Sequence, residues 1–254
     1  MLSKIQKNIQ KAQENRCSNR RKRPPLYTFP PYFGATFSTR QYDFTDSSGN
    51  NSSGLMSDKV SVILLPGAFN QRGSVPGQDQ LEPITIFLRM KYPEYNFIKG
   101  HMWNQEIGGQ GVTDNLVPLT SAANRSHNYN VEEPLKNALR DFVNFYNTNK
   151  SDHPDYDKVY GFKYVVEIEN APWPSVRELI VPNSIHVQLF PIKCNIFYEI
   201  IEDSIEDSII YNAISSNTKN HIERLSGGIW IDQAGNMIDR NGNVIDRDGN
   251  VIAA

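Results

Sequence analysis

Residues 95–127 read YNFIKGHMWNQEIGGQGVTDNLVPLTSAANRSH, and the change of period along this stretch sets the architecture. Tyr95 to Met102 has the aromatic and β-branched content of a strand. NQEIGGQGVTDN follows as a glycine-rich loop, and Leu116 to Leu119 reads as a short strand ending at Thr120. From Ser121 the spacing becomes helical, through SAANRSHNYNVEE and into PLKNALRDFVNFYNTN. Pro134 lies inside that run and should end one helix near Val131 and open a second, or else kink a single one. A strand, a loop, a strand and a helix in this order bring the end of the first strand and the start of the helix to one cleft.

Working outward, Val60 to Leu65 reads as a buried strand, PGAFNQRGSVPGQDQ as a long turn-rich loop and Ile84 to Met90 as a short helix. The preceding Thr45 to Ser57, TDSSGNNSSGLMS, reads as a Gly/Ser/Asn loop, so the folded domain should begin near Tyr27 or Lys59. Residues 1–26 are expected to form a basic arm: an amphipathic-looking start, then Arg16, Arg20, Arg21, Lys22 and Arg23, with Pro24, Pro25, Pro30 and Pro31 favouring extended chain beyond. A solvated charge cluster is the plain reading of that basic run, a nucleic-acid contact the sharper one.

Downstream, Val159 to Ile168 and Ile185 to Ile192 are β-rich and should pair antiparallel beside the core. Residues 197–225 hold the acidic IIEDSIEDSII and a polar helix without assignable chemistry. The tail from 226 to 254 repeats with period seven, GNMIDRN, GNVIDRD, GNVIAA, a turn-then-strand signal whose spacing departs from calcium-binding loops. The expected organisation is therefore an arm (1–26), a domain over 27–225 with its core at 95–148, and a repeat tail (226–254).

With 254 residues, 39% hydrophobic and 21% charged, the chain can bury a full core. The net charge of −2 decides nothing about a polyanionic partner, because charge can concentrate around a cleft. Cys17 and Cys194 form no zinc spacing and argue against a disulfide scaffold. No run approaches the ~18 apolar residues of a membrane span, and no apolar region follows the first lysines, so no Sec export signal is visible.

The chemistry-bearing residues are Lys99 and His101 at the end of the first strand, Asn115 at the second, and Asn124 at the start of the helix. Imidazole titrates near neutrality and suits a general base. A neutral amide oxygen suits a hard Mg²⁺, which keeps most of its waters. GHMWNQEIGGQGVTDNLVPLTSAAN, residues 100–124, resembles the DNA/RNA non-specific endonuclease family of ββα-metal (His-Me finger) enzymes, whose motif is D-R-G-H, an asparagine-proline segment and a helical metal-binding asparagine. It is similar in more detail to GHLLN-x-x-LGGPG-x-x-x-NLTP-x-T-x-x-AN, a variant found in nuclease toxin effectors of contractile injection systems. GSVPGQ, residues 73–78, resembles an element that precedes the motif there.

The resemblance implies an α+β ββα-metal core with His101 as base, Lys99 as phosphate contact, Asn115 as a support of the site and Asn124 as ligand of Mg²⁺ or Mn²⁺. Glu132 and Lys136 match a glutamate and an arginine of the family's helix, while Arg125 and Asn104 are candidate substrate contacts. The departures are Ile98 where the family has an acid, lysine for arginine at 99, which exchanges a planar fork for a point charge, and a shorter loop before Asn115. The implied activity is hydrolysis of DNA, RNA or both. The implied use is as an effector held in the producer's cytoplasm and delivered without a Sec signal, with an immunity protein or injection-particle component as possible partner. The alternative is a non-catalytic cargo or assembly protein of such a particle.

Plainer readings hold elsewhere. His127, His153, His186 and His221 read as ordinary hydrogen-bonded residues. Gly108, Gly109 and Gly111 read as loop-shaping rather than phosphate-cradling glycines. Trp103 and Tyr129 read as core aromatics before base-stacking ones.

Overall fold

The computed structural model describes residues 31–46, 48–148, 158–169, 181–194, 199–202, 211–212 and 214–253. The expected N-terminal arm, Tyr27, Cys17 and His153 lie outside these residues. Two long strands open the fold, β1 (Tyr32–Thr45) and β2 (Asn51–Leu64), paired antiparallel along their length. This corrects the loop expected over Thr45 to Ser57: β1 runs to Thr45 and β2 already begins at Asn51. Polar Ser and Asn residues pass for loop there because the distal half of the hairpin is solvated and has no apolar face to announce a strand.

Next come α1 (Glu82–Lys91), β3 (Phe97–His101), β4 (Leu116–Thr120) and α2 (Ser121–His127), and the helix continues through a π segment (Asn128–Glu132) into α3 (Glu133–Thr148). Pro134 therefore neither ends the helix nor leaves it regular. The wider turn, in which the Glu133 N–H reaches the Asn128 carbonyl, makes room for a ring that lacks its own N–H. Residues Leu135, Ala138, Leu139, Phe142 and Phe145 are buried at helical spacing along α3, and Phe142 stacks on Phe162 at 5.3 Å between ring centres.

The remaining elements are β5 (Val159–Ile168), β6 (Ser184–Cys194), β7 (Ile200–Glu202), α4 (Ser216–Ser226), β8 (Ile229–Asp232), β9 (Met237–Ile238), β10 (Val244–Ile245) and β11 (Val251–Ala253). One sheet runs β1-β2-β5-β6-β8-β9-β10-β11, with β7 also on β6, and β3-β4 form a separate pair. Mixed helices with antiparallel pairing throughout the described residues make this an α+β fold. β5 carries the main core on one face, and Ile63, Leu65, Val159, Ile192 and Cys194 cover the start of the other, where Lys163 reaches solvent.

The repeats do not stand apart from the body. β8 pairs with β6, and Ile229, Ile231, Met237 and Ile245 enter the main core. Each repeat turn is an Asp-x-x-Gly-Asn hairpin at 232–236, 239–243 and 246–250, and a fourth copy at 46–50 joins β1 to β2. In all four, glycine sits at φ +81 to +88 and donates to the Asp carbonyl, while the Asp carboxylate accepts from the Asn backbone N–H and side-chain amide. Each aspartate thus holds its own turn together.

Candidate active site

β3 and β4 pair in a register that sets His101 opposite Leu116 and Phe97 opposite Thr120. The chain passes directly from Thr120 into α2, whose first turn is capped by the Thr120 hydroxyl accepting from the Ala123 N–H at 3.1 Å. Asn124 stands in that first turn, half-buried and with no side-chain hydrogen bond among the described residues. The strand, strand, helix order is local in sequence, and α2 packs against both strands. The first repeat turn braces the same junction: buried Gln233 accepts from the Thr120 N–H at 3.0 Å and donates to the Pro182 carbonyl at 3.0 Å.

His101 is half-buried, and its Nε2 lies 3.1 Å from the Ser74 carbonyl. A carbonyl only accepts, so Nε2 carries the proton and Nδ1 is left with its lone pair. Burial pushes this imidazole below the usual histidine range, opposed in part by the Ser74 contact. It is therefore neutral at neutral pH, the form a proton acceptor requires.

Ser74 reaches His101 because two loops interlock. The Gly73 N–H donates to the Gln105 carbonyl at 2.6 Å, the Ser74 N–H to the Gly109 carbonyl at 3.2 Å, and the Gly111 N–H to the Ser74 hydroxyl at 2.9 Å. A Cβ on Gly73 would stand 1.7 Å from the Gly109 oxygen, and one on Gly109 1.7 Å from the Trp103 oxygen. These glycines serve backbone proximity, in keeping with a loop-shaping part.

Several expected site residues are occupied elsewhere. Lys99, on the same strand face as His101, donates to the Gly77 and Gln78 carbonyls at 3.1 and 2.7 Å and pairs with Glu82. Its contacts to these three groups anchor the upstream loop. Asn115 is fully buried. Its oxygen accepts from the Trp103 N–H at 2.8 Å, and its amide donates to the Trp103 and Gln110 carbonyls at 2.7 and 2.9 Å. It staples the loop from inside, the kind of contact expected of a support. Asn104 caps the turn at 105–107 through the Glu106 N–H at 2.7 Å, and its amide donates to Glu132.

Glu132 is buried and Lys136 nearly so, and the π segment points them to different partners: Glu132 to Asn104, Lys136 to Glu106 and Glu133. Burial pushes the Glu132 carboxyl up to about 8, against the opposing pull of the Asn104 hydrogen bond and the Lys136 charge. Arg125 is exposed beside Asn124, with no ion-pair partner among the described residues. Trp103 is core, its indole N–H donating to the Ile107 carbonyl at 3.0 Å, whereas Tyr129 is 52% exposed with the Arg247 guanidinium 4.0 Å over its ring. Tyr129 thus departs from the core reading.

His101 ends β3, Asn124 and Arg125 lie on α2, and Lys99, Asn104, Asn115, Glu132 and Lys136 are engaged by the loops and helix around them. Sequence reasoning missed Ser74, Glu82, His127, Tyr164 and Gln233. Of these only Ser74 carried a signal, inside GSVPGQ. Among the described residues no three His, Cys, Asp or Glu side chains gather as a metal cluster, and no helix is long and apolar enough to cross a membrane. Comparison with known proteins returns no matching family model, no matching curated protein and no matching solved structure.

Proposed function

We propose that this protein is a metal-dependent endonuclease that hydrolyses phosphodiester bonds of DNA, RNA or both, with the β3–β4–α2 unit as its ββα core. The observation that carries the reading is the state of His101: an imidazole held neutral, with Nε2–H fixed on a backbone carbonyl and Nδ1 left as an acceptor, while the helix that follows β4 carries an Asn124 amide with no partner among the described residues. Nδ1 takes the proton of an attacking water, and the Ser74 carbonyl both orients the ring and steadies the positive charge the ring then carries. Burial keeps the imidazolium short-lived, so the proton is passed on and the base regenerates.

A lone neutral amide oxygen, free of other partners, fits a hydrated hard dication better than a dry cage would, and Asn124 is the residue that would hold it. When bound, Mg²⁺ or Mn²⁺ supplies charge neutralisation at the phosphate and the departing oxygen. Arg125 is the exposed cation nearest in sequence to that point and is the side chain assigned to phosphate contact. Use as an effector against a target cell belongs to this same proposal.

The test is degradation of plasmid DNA and of total RNA by purified protein with Mg²⁺ or Mn²⁺. Activity that disappears with EDTA and falls about 10²- to 10⁴-fold in His101→Ala supports the reading. Undiminished cleavage by His101→Ala would overturn the assignment of the base. No cleavage of either substrate with any divalent ion would overturn the nuclease and favour a binding or cargo role.

A further inference from the structure

Behind His101 lies a polar cluster that the proposed chemistry does not use. His127, at the end of α2, is 1% exposed, and its Nε2 is 2.7 Å from the Tyr164 hydroxyl of β5. That hydroxyl in turn donates to the Met102 carbonyl at 3.2 Å, on the residue that follows His101. On the other side of the ring, Nδ1 lies 3.7 Å from a Glu132 oxygen, beyond hydrogen-bond length but close enough for each group to feel the other's charge. The second Glu132 oxygen accepts from Asn104. The groups facing this cluster are Lys136 and Glu133 from α3, Glu106 from the turn at 105–107, and Tyr164 from β5.

The protons can be counted. Tyr164 has one, and while Met102 receives it the phenol oxygen must accept from His127, so the His127 proton sits on Nε2. Nδ1 then presents a lone pair towards Glu132. A protonated carboxyl, favoured by its burial, suits that neighbouring lone pair better than a carboxylate would. The hydrogen bonds then run one way, from His127 to Tyr164 to the Met102 carbonyl, with Glu132, itself accepting from Asn104, beside the ring at 3.7 Å. Removing the Glu132 proton sets a carboxylate against a lone pair. The ring relieves this by moving its proton to Nδ1, Nε2 then draws the Tyr164 proton, and the buried Met102 carbonyl loses its donor.

We propose that His127 and Tyr164 are positioning residues of the site, forming with Glu132 a buried strut whose donor direction decides whether the carbonyl of Met102, the residue after His101, is held. The proposal rests on the reading of His101 as the base for its functional meaning, but not for its chemistry. Burial holds His127 down to about 3, so the ring is neutral throughout, and Glu132 is the group whose ionisation reverses the strut.

The experiment is imidazole ¹⁵N NMR of the full chain, well below and well above pH 8, on wild type and Glu132→Gln. The strut predicts the Nε2–H tautomer of His127 on the acid side and a shift to Nδ1–H on the alkaline side. In Glu132→Gln the amide donates at every pH and the Nε2–H tautomer persists. A wild-type tautomer that stays the same across this range overturns the proposal, and this result needs no variant to fold. A shift that survives in Glu132→Gln overturns it as well. If cleavage is observed, its rate should decline as pH rises past about 8 in wild type but not in Glu132→Gln, and a decline shared by both overturns the link to the site. Absence of any cleavage strikes at the nuclease alone and leaves the tautomer result standing.

Discussion

The Asp-x-x-Gly-Asn turns and the loop pair at 73–78 and 104–111 are both glycine-rich, yet they use glycine for opposite reasons. In the turns each glycine adopts a positive φ, and the turn is complete within five residues, whatever surrounds it. In the loop pair Gly73, Gly109 and Gly111 have no positive φ, and each is glycine because another stretch of backbone occupies the place of its side chain. One device is local and repeatable, so the chain uses it four times. The other exists only once two segments some 35 residues apart have met, and it is the one that supports His101.

That contrast is broken most severely at Gly109. Gly109→Ala sets a methyl 1.7 Å from a carbonyl oxygen and should destabilise the fold by about 3 kcal/mol or more, with cleavage lost. Thermal unfolding would read the first effect and plasmid degradation the second. Ser74→Ala is milder. It removes the acceptor of the Gly111 N–H while leaving the carbonyl on His101, and should cost roughly 1 kcal/mol, with His101 still titrating below the ordinary histidine value. Gly242→Ala meets open space and suffers only from its φ of +86, roughly 1–2 kcal/mol, and Gly242→Asn should recover most of that loss.

The two regions also differ in how pH reaches them. Asp46, Asp239 and Asp246 are held below the usual carboxylate range by hydrogen bonds within their own turns. Their folded values lie below the unfolded ones, so their contribution is present at neutral pH and lost as pH falls through the depressed values. Glu132 runs the other way. Its folded value, about 8, is above that of an unfolded carboxyl near 4.3, so wild-type stability declines as pH rises between the two. Glu132→Gln should therefore gain in melting temperature relative to wild type across that window and hold a constant advantage beyond it. An advantage independent of pH would contradict a buried, protonated Glu132.

Legibility in the sequence follows the same division. Val159–Ile168, Leu116–Thr120, the helix at 84–90 and the repeat turns announce themselves through period or turn chemistry confined to a few residues. β1 and the first half of β2 do not, since neither face of that part of the hairpin is continuously apolar. The same Asp-Ser-Ser-Gly-Asn spacing at 46–50 was the available signal, masked by the serines around it. At the site, His101 and Asn124 stand out by residue type and spacing. That Lys99 is consumed by Glu82 and two carbonyls, or that Asn115 is sealed inside its loop, depends on contacts no spacing records. Pro134 was visible as a disturbance, but the π turn that absorbs it was not.

The central claim is spatial: the imidazole of His101 and the amide of Asn124 border one gap able to take a hydrated dication. Paramagnetic broadening by substoichiometric Mn²⁺ tests it without reference to catalysis. Resonances of the His101 ring and the Asn124 side chain should broaden together and first, and both effects should vanish in Asn124→Ala. Broadening that spares these two residues, or that reaches His101 undiminished in Asn124→Ala, would contradict the site.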